Sequence, residues 1–329
     1  MEYTKLGNTG IDVSRIALGC MGYGDPNRWH HNWTLTEDKA RPLILKALDL
    51  GINYFDTANC YALGGSEEIL GNVLKGLVNR DEVVIETKVN QKMRQGPNGS
   101  GSSRKAIMAE IDYSLKRLGM DYIDIYLLHR WDPYTPIEET VEAMQDVVRA
   151  GKALYIGCST MAAWQFQKAR TIARSLGGPN FICMQSNYSL IYREEEREML
   201  PYCADAHVGV TCYSPLAAGR LAMRPGVVDE RGKLDKVAKK KFDATADIDL
   251  PVIQRTAELA DGYGVPMASI AMAWLLSKNP VVAPLLGVMD LSHFDSVEKA
   301  FEVKLTPEDI ASLEQPYKPH AFIDTSRNA

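Results

Sequence analysis

The sequence predicts an α/β protein, a closed (β/α)8 TIM barrel with an N-terminal hairpin and long rim loops. Three observations carry that expectation. Eight short, β-rich apolar runs are spread along the chain, longer segments of helical period separate them, and the first 14 residues fit neither pattern. Strict alternation argues for a parallel sheet with helices outside it. Eight repeats close such a sheet most economically, and 329 residues suit one barrel, so residues 1–329 are expected to form a single domain.

Residues 1–14 read as a hairpin turning at Gly7–Gly10. The strand runs follow at Arg15–Leu18, Ile52–Phe55, Val83–Thr87, Ile123–Leu128, Ala153–Cys158, Phe181–Gln185, Val208–Tyr213 and Val281–Leu286. Helices are expected at Glu37–Leu50, Ser66–Leu77, Ser103–Leu118, Ile137–Ala150, Met161–Leu176, Glu194–Ala206, Val252–Tyr263 and Leu291–Ala300. Glycine or a capping residue marks several of their ends. Pro266–Lys278 adds a helix before the last strand, and residues 217–250 form a long insertion after the seventh. An insertion there lies at the C-terminal rim, where lids form. Its run Lys239-Lys240-Lys241 reads as solvated surface. A doubly wound sheet is the alternative, but Gly19 to Gly24 (GCMGYG) lacks its glycine spacing, and there is no P-loop.

Composition narrows the function. With 37 Lys and Arg against 42 Asp and Glu, the net charge of −5 gives no pull toward nucleic acid or an anionic membrane. The longest apolar stretch, residues 268–288, is broken at Lys278-Asn279-Pro280, so no membrane span is expected. The first residues show no apolar signal, and the expected compartment is the cytoplasm. The six cysteines form no C-x-x-C pair and read as buried free thiols. The histidines lack H-x-H or H-E-x-x-H spacing, so a metal-dependent hydrolase using Asp56, His129 and Asp132 is disfavoured and no metal is expected.

In a (β/α)8 protein, chemistry sits where strands end at the C-terminal face. Polar residues there include Asp56, Tyr61, Lys88 and His129. Taken singly, each has an ordinary explanation: a turn, a packed ring, a solvated lysine, a satisfied core histidine. Together at consecutive strand ends they form an acid–base set. A lysine cation lowers the pKa of a neighbouring tyrosine from about 10 toward working pH, so that its hydroxyl can move a proton. The carboxylate holds the lysine, and a neutral histidine can orient a carbonyl oxygen.

These residues resemble the aldo-keto reductase superfamily, and the resemblance covers essentially the whole chain. Asp56-Thr57-Ala58-Asn59-Cys60-Tyr61 with Gly65-Ser66-Glu67 is similar to the family's D-T-A-x-x-Y…G-x-S-E segment. Glu86-Thr87-Lys88-Val89 resembles the catalytic-lysine strand, and Leu128-His129-Arg130-Trp131-Asp132 the catalytic-histidine strand. The last of these, with the stretches 191–197 and 316–320, is closest to the bacterial YajO-like branch. The resemblance implies reduction of an aldehyde or ketone with NADP(H). Tyr61 would protonate the alkoxide, with Lys88 and Asp56 assisting and His129 orienting the substrate. It also implies cofactor contacts at Gly22, Tyr23, Asp56, Ser159, Thr160, Gln185, Tyr213, Ser214, Pro215, Leu216, Gly219, Arg220, Gly287 and Asp290, with Tyr213 stacking on the nicotinamide.

Two places depart from the family pattern. Ser159-Thr160 stands where Ser-Asn is frequent, a minor change. In Gly287-Val288-Met289-Asp290-Leu291-Ser292-His293, Asp290 stands where a cation would meet the 2′-phosphate of NADPH. A carboxylate repels phosphate and can bind a free ribose hydroxyl, which permits NAD(H). Alternatively, Asp290 caps the following helix. The resemblance leaves two other functions open: a cofactor-binding redox sensor for a protein partner, and a role in 1-deoxyxylulose 5-phosphate metabolism. Trp29, His30, His31, Trp33 and Trp131 fall in likely rim loops and point to an aromatic-lined pocket for a small carbonyl substrate. Arg130 and Arg220 are candidate anion contacts. The oligomeric state is not legible.

Overall fold

The computed structural model describes residues 1–322. Two short antiparallel strands, β1 (Tyr3–Lys5) and β2 (Asp12–Ser14), form the expected hairpin. Eight parallel strands follow: β3 (Ala17–Gly19), β4 (Tyr54–Asp56), β5 (Val84–Val89), β6 (Ile123–Leu128), β7 (Ala153–Ser159), β8 (Phe181–Asn187), β9 (Gly209–Tyr213) and β10 (Val281–Gly287). They close in chain order, with β10 pairing β3. Each expected strand run overlaps one of these strands. β5 and β6 are buried along their whole length, as strands covered on both faces must be.

Helices cover the outside. Arg104–Leu118 shows the local reasons clearly. The Ser103 hydroxyl accepts from the Ala106 N–H at 3.3 Å, and Gly119, at φ +64°, ends the helix. Several expected helices are shorter or divided. Ser66–Leu77 becomes Gly65–Leu74, and Met161–Leu176 starts only at Ala163. Glu194–Ala206 divides into a 3-10 turn, Glu194–Glu196, and a helix, Met199–Asp205. Leu291–Ala300 likewise divides into Leu291–Phe294 and Asp295–Glu302.

The insertion is not a plain loop. It holds helices Glu230–Leu234 and Lys236–Phe242, and residues 246–250 already belong to helix Ala246–Tyr263. That helix therefore starts six residues before the expected Val252, with Pro251 in its interior. A final helix, Pro307–Glu314, was not expected. Its Thr306-Pro307-Glu308-Asp309 start carries a full capping box. Among the described residues, no single helix is long and apolar enough to cross a membrane.

Two large apolar clusters result among the described residues, with a small third one, Ala58, Cys60 and Tyr61, at the C-terminal mouth. The larger lies between barrel and helices. The smaller fills the lower barrel, where Leu6 and Val13 of the hairpin pack with Tyr54, Ile125, Leu127 and Leu285. The hairpin therefore plugs the N-terminal mouth of the barrel and leaves the C-terminal mouth open. The plug needs a close backbone approach. A Cβ on Gly7 would fall 2.5 Å from the Gly209 nitrogen, and Gly7 has φ +58°. Gly7→Ala should therefore lower folding stability by about 2 kcal/mol, from steric overlap and left-handed strain together. Urea unfolding midpoints of the two proteins check this.

Candidate active site

The C-terminal strand ends surround one cavity of about 1340 Å³. An ordinary small-molecule pocket measures roughly 300–1,000 Å³, so there is room for a dinucleotide and a second molecule.

The floor is built from neighbouring strands. Lys88, on β5, has no solvent exposure. Its Nζ donates to the Asp56 carboxylate at the end of β4 and to the Thr57 carbonyl at 2.7 Å. The ammonium lies 5.1 Å from the centre of the Tyr61 ring. His129, just after β6, stands edge-on to Tyr61 with ring centres 5.8 Å apart. The four residues expected to work together thus lie in one cluster, three of them lining the cavity and Lys88 directly beneath Asp56.

The motif residues around them brace this floor. The Ser66 hydroxyl donates to the Cys20 carbonyl and pairs with Thr57 Oγ1, each at 2.8 Å. Buried Glu67 accepts from Thr87 Oγ1 at 2.6 Å and Arg117 Nε at 2.5 Å. The Gly-Ser-Glu segment therefore ties the loops after β3 and β4 to β5 and to the helix Arg104–Leu118.

Burial shapes the titrations. For Lys88, burial favours loss of the proton, but Asp56, Tyr61 and Glu86 outweigh it and raise the pKa. For Tyr61, burial raises the pKa more than Lys88 lowers it, so the net shift is upward. This corrects the expectation of a tyrosine moved toward working pH: the lysine acts as expected, but the site is too dry for its pull to dominate. Burial, then Lys88 and Arg130, push His129 well below the usual histidine range and keep it neutral.

Of the expected cofactor contacts, all line the cavity except Tyr23, Arg220 and Asp290. The Tyr23 side chain is wholly buried in the outer core. Arg220 Nη2 donates to Asp243 Oδ1 at 2.5 Å, and its guanidinium stacks 5.0 Å from the Phe242 ring centre. Asp290 Oδ1 accepts from the Ser292 N–H at 2.9 Å and the Ser292 hydroxyl at 2.7 Å. It caps the turn Leu291–Phe294, as the alternative reading had it.

Other residues were not anticipated. Arg231, from the insertion, stacks 4.2 Å from the Trp33 ring centre and lies 3.5 Å from Asp235. Asp235 also approaches His31 Nδ1 at 3.8 Å. The insertion therefore folds back over the mouth onto the loop after β3. Lys239 and Lys240 are exposed, as expected of solvated surface, but Lys240 and the half-buried Lys241 also border the cavity. Lys241 Nζ lies 4.7 Å from the Tyr213 ring centre. Cys60 Sγ is 3.7 Å from His129 Nδ1, and Glu86 lies buried below Asp56. Glu86 had a legible signal: a charged residue two positions before Lys88 in an apolar run. Arg231 and Asp235 had none, because only the fold brings the insertion to the loop after β3.

A parallel barrel with a buried Lys–Asp pair beneath a tyrosine and a histidine defines an acid–base site at its C-terminal mouth. Residues 15–318 match the Aldo/keto reductase family, and the chain belongs to that family. It is 42% identical to a versiconal hemiacetal acetate reductase of Aspergillus parasiticus, over 98% of each chain. It is 38% identical to a putative aryl-alcohol dehydrogenase of Schizosaccharomyces pombe, over 96% of each. It is also 36% identical to an aldo-keto reductase of Alternaria alternata, over 96% of this chain and 91% of that one. All three are fungal proteins. The family and these relatives support an oxidoreductase that reduces carbonyl groups.

Thr160 sits at φ +53°, a left-handed conformation that a β-branched residue resists and asparagine accepts. The frequent Ser-Asn pair of the family thus has a backbone reason here. Thr160→Asn should raise stability by about 1 kcal/mol, read as a higher urea midpoint.

Proposed function

We propose that this protein reduces an aromatic aldehyde or ketone to the alcohol, with NADPH or NADH as co-substrate. One observation carries the reading: a fully buried lysine ammonium, bonded to Asp56, lies under Tyr61 at the floor of a cavity with room for both reactants.

The residues present fit a nicotinamide dinucleotide. Ser186 Oγ and Asn187 Oδ1 are buried at the cavity wall without a hydrogen-bond partner among the described residues. Such groups are costly unless a ligand meets them. Gln185 Nε2 is committed to two carboxylates, which leaves its carbonyl oxygen to accept from a carboxamide. Ser159 and Thr160 stand beside it, the Tyr213 ring supplies a stacking face, and the turn 214–219 lines the adjoining wall. When bound, the reduced cofactor supplies the hydride.

The chain's own residues handle the proton and the charge. Tyr61 donates its proton to the developing alkoxide, a far stronger base than tyrosinate, so the raised pKa of Tyr61 does not block the transfer. Lys88 stabilises the tyrosinate left behind, and Asp56 keeps Lys88 in place. Neutral His129 is suited to donate a hydrogen bond to the carbonyl oxygen without competing as an acid.

Two observations support an aromatic substrate. Trp29 lies 5.8 Å from Tyr61, ring centre to ring centre, and packs with Met21 and Met93 beside it. The Schizosaccharomyces pombe relative is named a putative aryl-alcohol dehydrogenase. A place beside the bacterial YajO-like branch would rest on the stretches 191–197 and 316–320 and the HRWD segment.

Tyr61→Phe should lower kcat with an aromatic aldehyde by about 10²–10⁴-fold and leave the cofactor Kd unchanged. Cofactor oxidation followed by absorbance, and quenching of protein fluorescence, measure the two. Tight cofactor binding with no turnover in the wild type would reject the reductase reading in favour of a redox sensor. Asp290→Asn keeps a capping side chain and removes a charge at the rim. Its KM for NADPH should fall about threefold to tenfold, with that for NADH unchanged, on the scale of one screened charge pair.

A further inference from the structure

Below Lys88 the barrel holds a second carboxyl group that the reaction above leaves without a task. Glu86 and Lys88 stand two residues apart on β5, so both face the barrel interior. Glu86 has no solvent exposure. The Tyr54 hydroxyl donates to its Oε2 at 2.5 Å, and Gln185 Nε2 donates to its Oε1 at 2.5 Å. The same Nε2 donates to Asp56 Oδ1 at 2.8 Å. β4 pairs with β5 so that Asp56 lies opposite Glu86, and the two carboxyl groups are within hydrogen-bond reach. The other titratable groups nearby are Lys88 on its own strand, Tyr54 on β4, Tyr61 above, and Cys183 on β8.

Charge counting decides the state of this set. Two carboxylates against one ammonium would leave a net charge of −1 in a fully buried place. Removing a charge from water without a partner is strongly unfavourable. A proton on one carboxyl group cancels the excess and turns a like-charge contact into a charge-assisted hydrogen bond. Asp56 is the group bonded to the ammonium, so the proton belongs on Glu86.

We propose that Glu86 is a positioning residue of the reductase centre: a neutral carboxylic acid that donates to Asp56, holds the buried charge at zero, and leaves Lys88 to act on Tyr61. The proposal rests on the reductase reading. Burial first, and Asp56 second, raise the pKa of Glu86 well above the usual carboxylate range. An ionised Glu86 would place a second negative charge below Lys88 and make Tyr61 hold its proton more tightly. The acid form is therefore the one in which Tyr61 gives its proton up fastest, and ionisation of Glu86 slows the transfer.

Infrared spectroscopy and kinetics test this. Wild-type protein at neutral pH, with and without carbon-13-labelled glutamate, should show a protonated-carboxyl stretch above the amide band. That stretch should shift with the label and with deuterium oxide, and be lost in Glu86→Gln. In the kcat–pH profile the wild-type basic limb should mark the ionisation of Glu86, so Glu86→Gln, which cannot ionise, should move that limb up by about one pH unit. A merely structural role would lower kcat equally at every pH. Absence of the labelled stretch in the wild type overturns the proposal, and so does an unmoved basic limb. If Glu86→Gln does not fold, the isotope shift of the wild type decides alone. The stretch needs no turnover, so its absence is distinguishable from a failure of the reductase reading.

Discussion

The mouth of the barrel depends on one buried ammonium. A lysine moved out of water without partners would lose its proton or weaken the fold. Lys88 keeps its charge because Asp56 and the Thr57 carbonyl meet it, and both come from the end of β4. That encounter needs β4 and β5 in register, Asp56 opposite Glu86. The register is held from above by Ser66 and Glu67, whose hydrogen bonds reach Cys20, Thr57, Thr87 and Arg117. The ion pair is therefore less a local contact than the point where three strand ends and two helices are tied together.

The barrel interior divides along its axis for the same reason. Its lower half is apolar and closed by Leu6 and Val13 from the hairpin. Water is kept from one side of the polar floor, so each charge there acts through a low dielectric. This explains why Lys88, Tyr61 and His129 all shift so far, and why burial rather than charge wins at Tyr61. A drier site strengthens the hold of Lys88 on a tyrosinate once it forms, while it discourages tyrosinate from forming early. For a proton donor that must wait for an alkoxide, both effects point the same way.

The fold was legible because its signals are local and repeated. Eight apolar runs, each followed by a helix-period segment, pick out the eight strands of the closed barrel. The acid–base set was legible because strand ends are neighbours in a barrel, so Asp56, Lys88 and His129 needed only their position after a run. Helix boundaries were less so. The helix expected from Val252 begins at Ala246 with Pro251 in its interior, and the Thr306-Pro307-Glu308-Asp309 start opens a further helix beyond the last β/α repeat. Contacts between distant loops left no trace along the chain. Arg231 over Trp33 and Asp235 beside His31 join residues about 200 positions apart, brought together only by closure of the barrel. Asp290 shows a further limit: a carboxylate before a helix fits a cap and a ribose contact alike, and only its bonds to Ser292 separate them.

The rim is built on different physics from the floor. Burial, then neighbouring His30, lower the pKa of His31 to about 4. Its approach to Asp235 is therefore a contact of a neutral ring, and the insertion is held over the mouth chiefly by the Arg231 stack on Trp33, with Arg231 steadied by Asp235 within the insertion itself. The turn leading into the insertion has Ser214, Ala217 and Ala218 at φ +55°, +48° and +54°, conformations that cost free energy in non-glycine residues. The floor, by contrast, is over-determined by hydrogen bonds from several strands. A molecule entering the cavity meets the rim before it reaches the ion pair beneath. Changes in the insertion can thus alter what enters, while the register of β4 and β5 preserves the chemistry done on it.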